Sequence, residues 1–300
     1  MQNSLAIIGA GRVGCALGRR LRERGWSVGA VVTRGEPSAR KSVRFIGAGR
    51  AHAAISTDVL TSRVILIAVP DDEISSVAAA LAFLGGQDLR RKVVLHTSGV
   101  HGSEVLDALK SLGAAAGSMH PLQSFSGVSV PPLEGRLFAI EGDARAVRVA
   151  RQMARSLGGS PVRLAGAKKP LYHTAAALAA GHLLAVEEAA VQLLVSLGMK
   201  RREALRALLP LTRQILENYE SLGPRAAWTG PLARGDFKVL RAHLEALRDS
   251  PPEFARVYES LSRLAARVLS QYPDRLLADF EKTVLEVKCK ARAATAGGKA

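Results

Sequence analysis

A lysine and a histidine stand one helical turn apart in the segment Gly166-Ala167-Lys168-Lys169-Pro170-Leu171-Tyr172-His173. Pro170 suits the first position of a helix, where its missing N–H costs nothing, so Lys169 falls at the helix entry and His173 on a neighbouring face. Hydride transfer to a carbonyl or an imine leaves charge on oxygen or nitrogen, and a nearby proton donor lowers that barrier. A lysine depressed by desolvation, or a histidine, can be that donor. The competing reading is a surface lysine and a histidine satisfied in the helix core.

Other polar groups follow apolar runs that end in turns. In His96-Thr97-Ser98-Gly99 the hydroxyls of Thr97 and Ser98 either bond a substrate carboxylate or carbonyl, or close a hydroxyl turn. His120, in His120-Pro121-Leu122-Gln123-Ser124, is either a substrate contact or a structural imidazole. Further on, Arg234 either clamps a substrate carboxylate with its planar guanidinium or pairs with Asp236. Asp236 and Asp71 are read as helix caps, and His243 as structural.

The elements that must position these groups begin with Gly9-Ala10-Gly11-Arg12-Val13-Gly14, which directly follows one strand and opens a helix. That context makes GxGxxG a dinucleotide signal: Gly9 for the tight turn, Gly11 for close approach to the pyrophosphate, Gly14 for helix packing, with helix amides facing the phosphates. The next strand ends in Thr33-Arg34, where an NAD site would carry an acid. Arg34, with Arg40 or Lys41, matches a 2′-phosphate instead, so NADP is expected over NAD; the plainer account is an arginine solvating a strand end. Val69 and Pro70 end a third apolar run at the edge where such folds bind ligands, and their backbone is expected to border the nicotinamide.

Strands are predicted at 5–8, 28–32, 64–69, 93–96 and 115–119, with helices at 12–24, 38–46, 73–83 and 103–112 between them. This alternation belongs to a doubly wound parallel sheet. Two more strands, 138–141 and 161–164, flank an amphipathic helix at 143–157. From Pro170 long helical patterns take over: 170–197 stopping at Gly198, then 201–219, 237–247, 252–272 and 274–290, with 223–235 irregular. The fold class expected is α/β, an N-terminal Rossmann sheet over 1–166 followed by an all-α domain over 167–290 and a disordered tail over 291–300. The active site is expected between the domains.

Bulk properties narrow the function. Cys15 and Cys289 are too few and too far apart for a disulfide framework or a metal site, which points to a reducing, cytoplasmic compartment. The apolar stretch 171–197 carries His173, His182, Glu187 and Glu188, more ionisable groups than a membrane span tolerates, and is read as a buried helix. Lysine and arginine number 42 against 26 acids, a net charge of +16 that suits an anionic ligand. With aromatics at 4% and no nucleic-acid recognition motif, DNA or RNA is not the expected partner.

Taken in order, the motifs GAGRVG, AVPDDEI, HTSG, HPLQSFS, KPLYHTAA and TGPLARGD make the chain resemble, over nearly its whole length, a Rossmann-like family whose C-terminal half is known as a domain of unknown function. More distantly it is similar to the superfamily of 6-phosphogluconate dehydrogenase, β-hydroxyacid dehydrogenases, ketopantoate reductase and pyrroline-5-carboxylate reductase. In the β-hydroxyacid enzymes a catalytic lysine is followed one turn later by asparagine; Lys169 matches the lysine, and His173 stands in the asparagine's place. The resemblance implies a homodimer paired through helical domains. The function expected is NADP-dependent hydride transfer to or from a small carbonyl or imine compound that bears a carboxylate, oriented by Ser98 and Arg234; the rival is a non-catalytic NADP-binding sensor or regulatory protein.

Overall fold

Period-two alternation gives the strands two apolar faces, and the molecule uses both. In β1 (Ser4–Ile8), Leu5 and Ile7 enter one core with Leu17 and Leu21 of α1 (Arg12–Glu23), while Ala6 and Ile8 enter the other. The structure, a computed structural model, describes residues 3–127 and 129–297. After β1 and α1 come β2 (Ser27–Val32), α2 (Glu36–Ile46), β3 (Arg50–His52), β4 (Val64–Ile67), α3 (Ile74–Gly85), β5 (Val93–His96), α4 (Asp107–Lys110) and β6 (Ala115–Pro121). Then follow β7 (Leu137–Gly142), α5 (Ala144–Ser156) and β8 (Ser160–Arg163).

Among the described residues these strands form one sheet in the order β3-β2-β1-β4-β5-β6-β7-β8. β1 to β6 run parallel; β7 is antiparallel to β6, and β8 runs parallel to β7. The order reverses direction between β1 and β4, so a crevice opens beyond their carboxyl ends, where ligands of open α/β sheets bind. β3 escapes the sequence reading because Arg50-Ala51-His52 lacks the apolar run that marks a strand.

The chain resolves into two compact units, Met1–Gly181 and His182–Ala300. The first therefore includes, beyond the 1–166 expected for the sheet domain, α6 (Lys169–Ala177) and most of a π-helical turn, Leu178–His182. The second contains α7 (Leu183–Ser196), α8 (Arg201–Ala227), α9 (Pro231–Arg234), α10 (Phe237–Ala246), α11 (Pro252–Leu269) and α12 (Pro273–Gly297). Its core gathers Leu232, Leu240, Leu244, Phe280, Val284 and Val287. Where 223–235 was expected to be irregular, α8 instead runs on through a break at Gly223 (φ 79°), ahead of Pro224, and α9 adds a turn. The end of the tail expected over 291–300 lies outside the described residues.

The stretch 171–197 is not the buried helix that its composition predicts. Val191 is buried, but Leu184 is 69% exposed and Leu197 79%. Apolar content says that a face will be covered; it does not say that the same chain covers it. By length and composition Gly166–Ser196 could cross a membrane, with mean hydropathy 1.5. Its acids are engaged with protein: Glu188 accepts from both Arg201 Nη atoms at 2.9 and 2.7 Å, and Glu187 accepts from Thr212 Oγ1 at 2.8 Å.

Candidate active site

The turn after β1 is built around an approach that only glycine allows. Gly9 has φ +87°, and a Cβ there would lie 2.5 Å from Val69 Cγ1 and 2.7 Å from Ala68 C, so this glycine is needed for the fold itself. At Gly11 a Cβ would meet nothing within 4 Å: the missing side chain faces open space. That space belongs to a cavity of about 640 Å³ bordered by Gly9, Gly11, Arg12, Thr33, Arg34, Val69 and Pro70, a size suited to a cofactor. The first three amides of α1 have no partner within the helix, and its first turn carries no acid. Ser42 Oγ and Cys15 Sγ both donate to Ala10 O and brace the turn. Open space, bare amides and a first helical turn without an acid fit a dinucleotide diphosphate.

Not every residue of the motif touches the cavity. The side chain of Val13 packs against the core, leaving only its amide for a phosphate, and Gly14 lets the helix lie on Gly9 O and Ala68. Thr33 Oγ1 donates to Gly35 O, closing a local turn. Arg34 borders the cavity with Ser38 and Lys41, its side chain 84% exposed and 3.2 Å from Glu73. Arg40 is engaged elsewhere, with Glu36 at 2.8 Å.

A second polar group forms on the sheet face opposite α1. Register places His96 beside Ser118, and Ser118 beside Glu141, across β5, β6 and β7. All three are buried on a face that is otherwise apolar. Lys169 closes over this row: it is 1% exposed, and Nζ donates to Ser98 O at 2.8 Å and to Ser118 Oγ at 2.6 Å. An ammonium has three N–H donors, so one remains for another acceptor. Burial pushes the amine down to about 8, opposed by the carboxylates of Glu141, Glu104 and Asp71. The surface-lysine reading is thereby excluded.

His96 and the neighbouring His120 stay neutral near pH 7. His96 is pushed down to about 3 by burial and by the charge of Lys169, and its Nε2 bonds Gly102 O at 3.0 Å. His120 is pushed down to about 4 by burial, then by Lys169 and His173. Its Nδ1 shares a 2.9 Å hydrogen bond with Tyr172 Oη, and its ring stands edge-on to His173 at 5.7 Å between centroids. Gly99 makes room for this: a Cβ there would lie 2.3 Å from His173 Cδ2 and 2.9 Å from His120 Nε2.

The structure thus brings Lys169, His173 and His120 together, with Ser98 beneath them. The Ser98 hydroxyl closes a turn, Oγ accepting from the amides of Val100 and His101, while the residue's carbonyl accepts from Lys169. Thr97 lies half-buried at the same strand end. Asp71 caps no helix; Pro70 occupies the cap of a short turn, Asp71–Glu73, without a side-chain bond. In the second unit Asp236 does cap α10, accepting from Val239 N, and His243 bonds Tyr258 Oη at 2.9 Å. Arg234 is exposed at the end of α9, and among the described residues no ion pair joins it to Asp236. Ser118, Tyr172 and Glu141 escaped the sequence reading. The one signal for Ser118 and Glu141 is a polar residue within an otherwise apolar strand, and Tyr172 had none beyond its place on α6 next to His173.

Residues 1–121 match the family model of a Rossmann-like domain, and residues 136–265 that of a domain of unknown function, DUF2520. No curated protein matches the sequence. Among solved structures the chain is similar to a protein of Bacteroides fragilis named as an NADP oxidoreductase, with TM-score 0.69 and 23% identity over 88% of this chain and 98% of that one. It is similar also to a reductive aminase of Aspergillus terreus in complex with NADPH, cyclohexanone and allyl amine, with TM-score 0.64 and 16% identity over 89% and 94%. A pyrroline-5-carboxylate reductase of Coxiella burnetii gives TM-score 0.58 and 12% identity over 96% and 98%. At these identities the likeness is one of fold. The chain is a Rossmann-like protein that carries a DUF2520 domain.

Proposed function

We propose that this chain is an NADP-dependent oxidoreductase that reduces a small carbonyl or imine compound bearing a carboxylate, or catalyses the reverse, with Lys169 as proton donor. The observation that carries the reading is a buried lysine, anchored by two acceptors and with a donor to spare, in the unit that also holds the dinucleotide turn. When bound, the dinucleotide supplies the hydride. Arg12 and Val13 would hold its diphosphate through backbone amides, with Gly11 leaving the room for its approach, while Arg34 and Lys41, both bordering the cavity, favour a 2′-phosphate. The fold neighbours named for NADP and NADPH agree with that preference.

With the amine held near 8, Lys169 is mostly protonated at neutral pH yet gives up its proton far more readily than a free lysine. The neutral imidazole of His120, fixed by Tyr172, offers a hydrogen bond to the polar group of the substrate without adding a positive charge, and His173 stands edge-on beside it. The test is NADPH oxidation with a panel of 2-keto acids and cyclic imines. Turnover with one of them, reduced about 10²-fold or more in Lys169→Met with NADPH affinity kept, supports the reading. Tight NADPH binding without turnover on any member would leave a dinucleotide sensor in its place.

The apolar surface of α7 and α8 supports a second element of the proposal, a homodimer through the helical domain. Leu184, Leu211, Leu216 and Tyr219 are each at least half exposed in the single chain, large apolar side chains of the kind that interfaces cover. A second copy of the same helices would cover them.

A further inference from the structure

Glu141 is 7% exposed, and its Oε1 has no hydrogen-bond partner. A carboxylate in such a place is costly unless an opposite charge stands close by. Ser118 and Glu141 are directly opposed across the antiparallel β6–β7 pair, so their side chains leave the same face with Cβ atoms about 4.5–5.5 Å apart. Lys169 Nζ bonds Ser118 Oγ and so lies over the same row, within electrostatic reach of Glu141, though among the described residues no direct ion pair joins the two. On the other side, a Cβ placed on Gly166 would lie 3.7 Å from Glu141 Oε2 and 3.8 Å from Glu104 Oε2. Both carboxylates therefore converge beside the turn that leads into Lys169. Glu104 is exposed and is steadied by the Gly102 amide at 2.9 Å.

We propose that Glu141 is a positioning residue for Lys169: its carboxylate is the counter-ion that keeps the buried amine protonated over the His96–Ser118–Glu141 row and ready to give up that proton. This rests on the reading of Lys169 as proton donor. The groups that bear on the amine are Glu141, Glu104 and Asp71, which favour its charge, and His96 and His120, which are neutral near pH 7. Of the carboxylates, Glu141 alone is buried, and an opposite charge in a buried setting is screened least.

The experiment is an NMR titration of the lysine Cε resonances in 13C-lysine-labelled protein without substrate, with Lys169 assigned by its loss in Lys169→Met. The expected result is a Lys169 midpoint lower by about one to three pH units in Glu141→Gln. A smaller shift is expected in Glu104→Gln, where solvent screens the charge, and a return towards the parent value in Glu141→Asp. An unchanged midpoint in Glu141→Gln overturns the proposal. Should that variant not fold, the parent protein carries the test: the Glu141 carboxyl resonance must move as Lys169 titrates and lose that step in Lys169→Met. A Glu141 resonance blind to Lys169 overturns the proposal as well. Because no substrate is present, the expected titration combined with absent turnover would refute the reductase reading and leave this pairing standing.

Discussion

Alanine at Gly11 should separate cofactor binding from folding, which alanine at Gly9 cannot do. Gly11 has extended backbone, φ −80° and ψ −151°, and its new Cβ meets nothing within 4 Å. The substitution removes freedom from the unfolded chain and should stabilise the protein by about 0.4–1 kcal/mol. For a chain of this size that raises the melting temperature by about 1–4 °C. The same methyl group stands in the space assigned to the diphosphate, so NADPH affinity should fall about a hundredfold or more, roughly 2.7 kcal/mol. At Gly9 the left-handed backbone costs about 1–2 kcal/mol once a Cβ is added. The contacts at 2.5 and 2.7 Å with Val69 and Ala68 add about 1–3 kcal/mol, because two of the atoms met are backbone and cannot rotate away. Calorimetric melting without ligand and isothermal titration with NADPH read the two effects separately. The reasoning fails if Gly11→Ala binds NADPH as tightly as the parent, or if Gly9→Ala melts at the parent temperature.

Four further outcomes follow from the geometry. Lys169 sits at about 8 when folded against 10.5 for a free lysine, so between those values the unfolded chain holds more protons; this group adds stability as pH rises from 8 to 10.5 and withdraws it as pH falls back through 8. Urea midpoints across that window should therefore rise more with pH for the parent than for Lys169→Met, and equal slopes would contradict the burial. His96 and His120, depressed to about 3 and 4 from 6.5, contribute in full above pH 6.5 and lose that contribution as pH falls towards 3–4; a smaller acid loss in His120→Gln checks the share of His120. Gly99→Ala should cost about 1–3 kcal/mol and displace His173, visible in its imidazole NMR shifts, whereas unchanged shifts would deny the contact. Leu184→Glu with Leu216→Glu should turn the proposed homodimer into a monomer by sedimentation; a parent that is already monomeric, or an unaltered mass in the variant, would contradict that interface.

How much of this was legible in the sequence depends on whether a signal is local. The glycine turn was, because Gly9, Gly11 and Gly14 act within one strand–turn–helix unit. Lys169 at a helix entry beside Pro170 was legible for the same reason. The row of His96, Ser118 and Glu141 was not: it exists only once register pairs three strands distant in sequence, one of them antiparallel. Ser98 shows the limit from the other side, since its position at the strand end was readable but the choice between its hydroxyl and its carbonyl was made by Val100, His101 and Lys169. The apolar stretch before Gly198 announces burial without saying against what, and within one chain its outer face stays bare.

The most direct measurement is a crystal structure of the protein grown with NADP. The diphosphate should lie over Gly11 and against the amides of Arg12 and Val13, with the adenosine phosphate near Arg34 and Lys41 and the nicotinamide passing Val69 and Pro70 towards Lys169. A dinucleotide bound elsewhere, or a nicotinamide ring turned away from Lys169, would contradict the account.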